Sequence, residues 1–358
     1  MATRVLWLTS WYPSRVGPFD GDFIERHARA VSRFTKLTVL YIVKDQLLKN
    51  NAVEIEKTKE GNLSVYKVYY GKSVRGGWLE QFLSYRKYKQ LQRQLYQQIV
   101  AENGYPAIVH VHVAMKAGLL ALWIKKKYII PFVVTEHWSG YNPQTHPNIY
   151  DGNALIRTFT KNILTQATMF LPVSDSLGNM VCKYLTTVRY KVVPNVVDTS
   201  SFNYTHSTLK RFRFIHPSSM IDIKNPEGIL SACKMVKDLG YTFELLMIGG
   251  QSVSLVALAD ELGLSKELIF EGAVSYQEIA VRMQQSSALL MFSHFENLPC
   301  VVLEALCCGL PVVSSSVGGI PELIDEHNGI LVESGDTAAL AAAMMRLIDN
   351  YPLFDRKE

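Results

Sequence analysis

Cysteine is scarce in this chain of 358 residues: five in all, at Cys182, Cys233, Cys300, Cys307 and Cys308. They show neither the paired spacing of a zinc site nor a disulfide framework. That excludes a cysteine-stapled secreted fold, and a reducing, cytoplasmic setting fits. Long apolar runs are missing too, since none approaches the roughly 20 residues that a membrane span needs. The opening Met1-Ala-Thr-Arg4-Val-Leu-Trp-Leu-Thr9 holds an apolar stretch too short for a secretory segment, and it reads as a first strand. No G-x-G-x-x-G occurs, which counts against a nicotinamide-dependent enzyme. Charge is modest at 19%, against 48% hydrophobic residues. Such a chain buries a large core, and its length admits two domains.

Charge of one sign is unevenly spread. Residues 1–200 carry 26 basic against 13 acidic side chains, and residues 201–358 carry 11 against 19. The basic excess runs through folded-looking segments, so it is no nucleic-acid tail. It suits an anionic acceptor, peripheral contact with an acidic membrane surface, or ordinary solvated faces.

Apolar strands alternate with amphipathic helices from end to end. The pattern predicts α/β architecture, with parallel sheets covered by helices on both faces. In the first half strands fall near 5–9, 37–43, 107–113, 132–136 and 169–173, while the more polar 44–80 suits shorter, antiparallel strands. In the second half they fall near 212–216, 243–248, 268–271, 288–292, 311–315 and 330–332. A polar, Ser/Thr/Asn-rich stretch over 195–211 is the expected linker. It divides the chain into domains 1–195 and 196–358, with ligand expected in a cleft at the strand C-termini.

The most informative stretch is Ser293-His-Phe-Glu296-Asn297-Leu298-Pro299-Cys300, continued through Glu304, Gly309-Leu-Pro311-Val-Val and Gly318-Gly-Ile-Pro-Glu322. A strand enters a short polar loop, and Pro299 suits the first position of a helix because its missing N–H is not needed there. Glu296 then falls in the loop and Glu304 in the helix. The first-turn N–H groups around Cys300 and Val301 form an anion site between the two acids. Amides that hold phosphate, beside carboxylates that accept from hydroxyls, suit a ligand carrying both.

Taken in order, these features resemble the E-x7-E signature of family 4 retaining glycosyltransferases, also grouped as glycosyl transferases group 1. The resemblance implies a GT-B fold: two Rossmann-like doubly wound domains facing each other across a cleft, with the nucleotide sugar on the C-terminal one. It implies catalytic roles for His137, Glu296 and Lys224. Donor contacts fall to Glu304, Ser219, Lys224, Gly249, Asn297, Leu298, Pro299, Cys300 and Val301, and the acceptor side to Gly21 and Asp22. No metal and no cofactor beyond a UDP- or GDP-sugar substrate is implied. The acceptor that the resemblance implies is a glycan or lipid-linked hydroxyl, in surface polysaccharide biosynthesis.

Departures from the family pattern are specific. Ser219 stands where the family has an Arg, so one cation, Lys224, faces the diphosphate and a bidentate contact is lost. Val196 replaces the Gly of Val-Pro-Asn-Gly-Val-Asp, which restricts the backbone if a positive φ is needed there. Gly21-Asp22 replaces the usual Gly-Gly. The crossover helix that usually ends such chains has no counterpart after 337–349.

Other motifs have plainer readings. Asp20-Gly-Asp22 is a D-x-D placed too early to serve a nucleotide-bound metal. His110 and His112 share one strand face, as satisfied imidazoles or as half of a metal site. Two alternative functions share the donor site: a GT-B nucleotide-sugar epimerase, and a non-catalytic nucleotide-sugar-binding protein.

Overall fold

The computed structural model describes residues 3–49, 52–71, 78–152, 154–205, 211–250 and 253–351. Residues 206–210 of the expected linker and the tail from 352 onward lie outside that set. The chain divides into two compact units, one of residues 1–173 and 178–193, the other of 174–177 and 194–358.

The first unit contains β1 (Arg4–Thr9), α1 (Asp22–Ser32), β2 (Lys36–Lys44), β3 (Val53–Glu60), β4 (Leu63–Tyr70), α2 (Trp78–Asn103), β5 (Ile108–His112), α3 (Gly118–Tyr128), β6 (Phe132–Glu136), α4 (Ala154–Gln166) and β7 (Met169–Pro172). Its sheet runs β3-β4-β2-β1-β5-β6-β7. Every neighbouring pair is parallel except β3 with β4. The expected antiparallel character of 44–80 therefore belongs to β3 alone. Every residue of β3 (VEIEKTKE) is exposed, and charge along an outer strand discourages edge-to-edge pairing. Helix α5 (Asp175–Tyr184) follows, and its start, 174–177, groups with the second unit.

The second unit contains β8 (Phe212–Ser218), α6 (Pro226–Asp238), β9 (Phe243–Gly249), α7 (Val253–Glu261), β10 (Leu268–Glu271), α8 (Tyr276–Gln284), β11 (Ala288–Leu290), α9 (Cys300–Cys307), β12 (Val312–Ser315), β13 (Gly329–Val332) and α10 (Thr337–Asn350). All its strands are parallel, in the order β10-β9-β8-β11-β12-β13. Side chains alternate along each strand, so Phe214, Leu245, Met247 and Val313 enter one core with residues of α6 and α10. Their neighbours Ile215, Leu246, Ile248 and Val312 enter a second core, with residues of α8 and α9. Burial on both faces is why these strands read as continuous apolar runs.

The helix ends follow local chemistry. Asn225 caps α6 ahead of Pro226, a Ser275–Glu278 capping box opens α8, and Asp336 caps α10. Pro299 departs from the expectation: it lies just before α9, with extended backbone (φ −69°, ψ 124°), and the helix starts at Cys300. The ring fixes φ but leaves ψ open, so the residue serves equally as the last of the loop.

Candidate active site

In the second unit the strand order reverses between β8 and β11. Chains leaving two adjacent strands in opposite directions there open a crevice at their C-terminal ends. The segments after these two strands carry Lys224 and Glu296, and the fold brings them together. Lys224 Nζ bonds Glu296 Oε1 at 2.5 Å, and Ser293 Oγ donates to the same oxygen at 2.8 Å. The Glu296 Oε2 makes no hydrogen bond among the described residues. Lys224, the cation expected to face the diphosphate, is thus paired with a carboxylate. An ammonium has three donors, however, and one bond to Glu296 leaves two.

The loop that bears Glu296 is held from several sides. His294 N–H donates to the Ile223 carbonyl at 2.8 Å, tying the two post-strand segments to each other. Ser315 Oγ donates to the Ser293 carbonyl at 2.6 Å. Gly319 N–H donates to the Asn297 carbonyl at 2.7 Å. The Gly318-Gly319 pair is needed for this approach. Gly318 sits at φ +57°, and a Cβ on it would lie 1.6 Å from the Glu296 carbonyl oxygen. Gly249 plays the same part at the end of β9, where a Cβ would meet the Ser218 carbonyl at 1.8 Å.

Glu296 and Glu304 are both buried, 8% and 5% exposed. Among the described residues no side-chain cap hydrogen bond is made at the N-cap Pro299 of α9, and Cys300 and Val301 form the first turn, the part of a helix where an anion can be held. Asn297 and Leu298 belong to the bracing of this turn. Burial and the nearby Glu304 push the Cys307 thiol up, and burial and Cys307 push Cys308 to about 12. Both shifts favour the protonated thiol over the thiolate that nucleophilic attack requires.

Ser219 is exposed, while Ser218 is fully engaged. Ser218 Oγ bonds His216 Nε2 at 2.8 Å and accepts from Met220 N–H at 3.1 Å. His216 Nδ1 meets the Leu290 carbonyl at 2.8 Å, which makes Nδ1 the protonated nitrogen. Burial lowers His216 from 6.5 to about 4. Val196 does not take a left-handed backbone, so the missing glycine costs nothing at that position. Glu322, at the end of the Gly-Gly motif, accepts from the amides of Asp175 and Ser176 at 2.9 and 2.8 Å. It caps a helix start, a role that sequence spacing did not reveal.

In the first unit the order reverses between β1 and β5. Ser10 N–H donates to the His112 carbonyl, and Ser10 Oγ to the Val113 carbonyl at 2.9 Å. Val113 sits at φ +64°, a strained backbone for a β-branched residue. Next to this turn, the buried Glu136 carboxyl accepts from the amides of Ala114, His137 and Trp138, each at 3.0 Å, and from Tyr141 Oη at 2.7 Å. Burial pushes Glu136 up, and these donors oppose it. Glu136 thus fixes the backbone of His137.

The His137 ring lies against Phe23 (centroids 4.6 Å apart) and is nearly parallel to His112 (5.9 Å, 12°). His110 stacks on His112 at 4.2 Å, and its Nε2 meets Thr135 Oγ1 at 2.7 Å. Burial and a neighbouring imidazole, His27, hold His137 well below its ordinary value, and they lower His110 to about 4. The group is therefore neutral at physiological pH. Gly21 ends the loop before α1 at φ +68°, where a Cβ would meet Trp11 at 2.9 Å. Asp22, expected on the acceptor side, is engaged by Arg26 at 2.6 Å.

Residues 202–357 match the family model Glycosyl transferases group 1, and residues 55–201 match Glycosyltransferase Family 4. The chain is 24% identical to a Bacillus subtilis (strain 168) protein carried under the name teichuronic acid biosynthesis glycosyltransferase TuaC, over 96% of this chain and 88% of that one. Sucrose-phosphate synthase from Thermosynechococcus elongatus superposes with a TM-score of 0.77 at 16% identity, over 99% of this chain and 92% of the other. Anabaena HepE, solved with UDP, gives 0.71 at 15% identity and the same coverage. These structural likenesses establish the GT-B fold.

Proposed function

The chain belongs to the family 4, group 1 glycosyltransferases, and from that premise we propose that it moves a sugar from a UDP- or GDP-linked donor to a hydroxyl acceptor with retention of configuration. The observation that carries the donor assignment is the Lys224–Glu296 pair at the strand-order switch of the second unit, beside the uncapped start of α9. HepE, whose structure contains UDP, supports a uridine donor. The TuaC likeness supports a glycan or lipid-linked acceptor in polysaccharide biosynthesis.

In this reading the transition state is oxocarbenium-like, with charge building on the departing diphosphate. The two remaining Lys224 donors and the first-turn amides of α9 stabilise that charge, and they are already oriented before the reaction. Glu296 Oε2 accepts from a donor-sugar hydroxyl, while Glu304 takes the ribose. His137, neutral and held by Glu136, contributes an uncharged hydrogen-bonding group to the sugar. Ser219, in place of a guanidinium, weakens the diphosphate grip. The amides and Lys224 take the part a divalent ion plays elsewhere, so EDTA leaves turnover unchanged.

Among the described residues no helix is long and apolar enough to cross a membrane. The basic first half supports peripheral contact with an acidic membrane surface, read out as salt-sensitive cosedimentation with anionic vesicles. The donor reading is tested by calorimetric titration with UDP and GDP, followed by turnover with the matching sugar nucleotides. Saturable binding that Lys224→Ala abolishes supports it. Binding of neither nucleotide, or sugar conversion without any acceptor, overturns it.

A further inference from the structure

The chain passes from the first unit into the second between Val193 and Pro194, and Asn195 follows at once. Its side chain is buried, 8% exposed. Nδ2 donates to the Leu298 carbonyl at 2.8 Å, across 103 residues of sequence. Oδ1 is buried and has no donor among the described residues. The orientation of the amide is set by its partner, because the reverse would place two oxygens face to face. A buried acceptor without a donor is a standing cost, which the Nδ2 contact has to offset.

Leu298 is the residue before Pro299, at the mouth of α9. Helices α6, α8 and α10 are each aimed by a side chain of their own cap residue, Asn225, Ser275 and Asp336. Helix α9 has no side-chain cap, and Pro299 offers no N–H. The approach to α9 is set instead through the two preceding carbonyls: Asn297 held by Gly319 N–H, and Leu298 held by Asn195.

We infer that Asn195 is a positioning residue of the donor site: it latches the segment joining the two units to the loop that aims the first turn of α9. It touches no reacting atom and acts through Leu298 on the placement of the Cys300 and Val301 amides. This rests on the reading that a nucleoside diphosphate binds at that turn.

The test is titration of the full chain with UDP and GDP as probes. Asn195→Ala leaves the Leu298 carbonyl without its donor and weakens nucleotide binding about tenfold, the value of one hydrogen bond. The KM for donor rises with it, while the KM for acceptor stays at the wild-type value. Asn195→Asp supplies a readout that a merely structural role does not move. As a carboxylate it repels the Leu298 carbonyl, and as an acid it donates to it. Its nucleotide affinity relative to wild type therefore recovers as pH falls from about 8 to about 5.5. If Asn195→Ala fails to fold, the near-isosteric Asp variant still reports through this ratio. Wild-type affinity in Asn195→Ala, or a ratio flat with pH in Asn195→Asp, overturns the inference alone. Absence of binding by the wild type to either nucleotide brings down the donor reading, and this inference with it.

Discussion

Glu296 shows how much a single side chain depends on its partners. Lys224 and Ser293 both bond Oε1, which turns a flexible carboxylate into one with a fixed second oxygen. Glu296→Gln puts an amide in contact with an ammonium, loses the charge-assisted bond and lowers kcat by roughly 10²-fold, on the scale of losing one preorganised polar group. Lys224→Ala reduces both donor binding and stability, because it strands a buried carboxylate without its cation. Steady-state kinetics with a thermal melt separates the two effects. Glu136 illustrates the same point without touching substrate. Glu136→Gln turns one acceptor oxygen into a donor facing N–H or O–H groups. It should cost about 1–3 kcal/mol and lower the Tm together with kcat/KM, since the backbone of His137 hangs on the same carboxylate.

At the scale of elements, the loops at the two strand-order reversals are braced by close backbone contact, which small residues permit. Gly318→Ala has no room for its Cβ against the Glu296 carbonyl, and its positive φ resists a side chain. The expected result is a shifted 293–299 loop and a loss of nucleotide affinity larger than the loss of stability. Ser275→Ala makes the contrasting case. It removes the cap of α8 and costs about 1 kcal/mol, yet leaves nucleotide affinity unchanged. Parallel melts and titrations of the two variants check both statements. The register of β8 against β9 pairs Ser218 with Gly249, so the second glycine contact follows from the sheet itself.

For the whole molecule, acid is the revealing variable. His216 is buried, and its ring is lowered from 6.5 to about 4. Between those values the unfolded chain binds more protons than the folded one, so stability falls as pH falls through that window. The contribution of the neutral ring is fully present above 6.5 and lost by about pH 4, a change of about 3 kcal/mol from this residue. His27 and His110 are also lowered to about 4 and act with the same sign. Denaturant titrations over this range should show stability declining towards acid, and His216→Asn should flatten the decline. A slope of opposite sign would contradict the neutral assignment.

Short apolar runs and helical periodicity sufficed to locate nearly every strand and helix outside residues 44–80, because period and length are local properties of the chain. The Glu296–Glu322 stretch was legible for a related reason: strand, loop, proline and glycine pair must follow one another in sequence to build one turn. What no spacing could disclose were partnerships between distant segments. Lys224 meets Glu296, Asn195 meets Leu298, and Glu322 meets the start of α5. Lys224 and Glu296 meet because β8 and β11, far apart in the chain, are neighbours in the sheet, and the other two pairs likewise join segments more than a hundred residues apart. Sequence by itself determined the elements and the residue types gathered at their ends. Tertiary structure alone decided which oxygen is occupied, which imidazole is neutral and which carbonyl is held, since hydrogen-bond geometry and desolvation exist only once the strands are side by side.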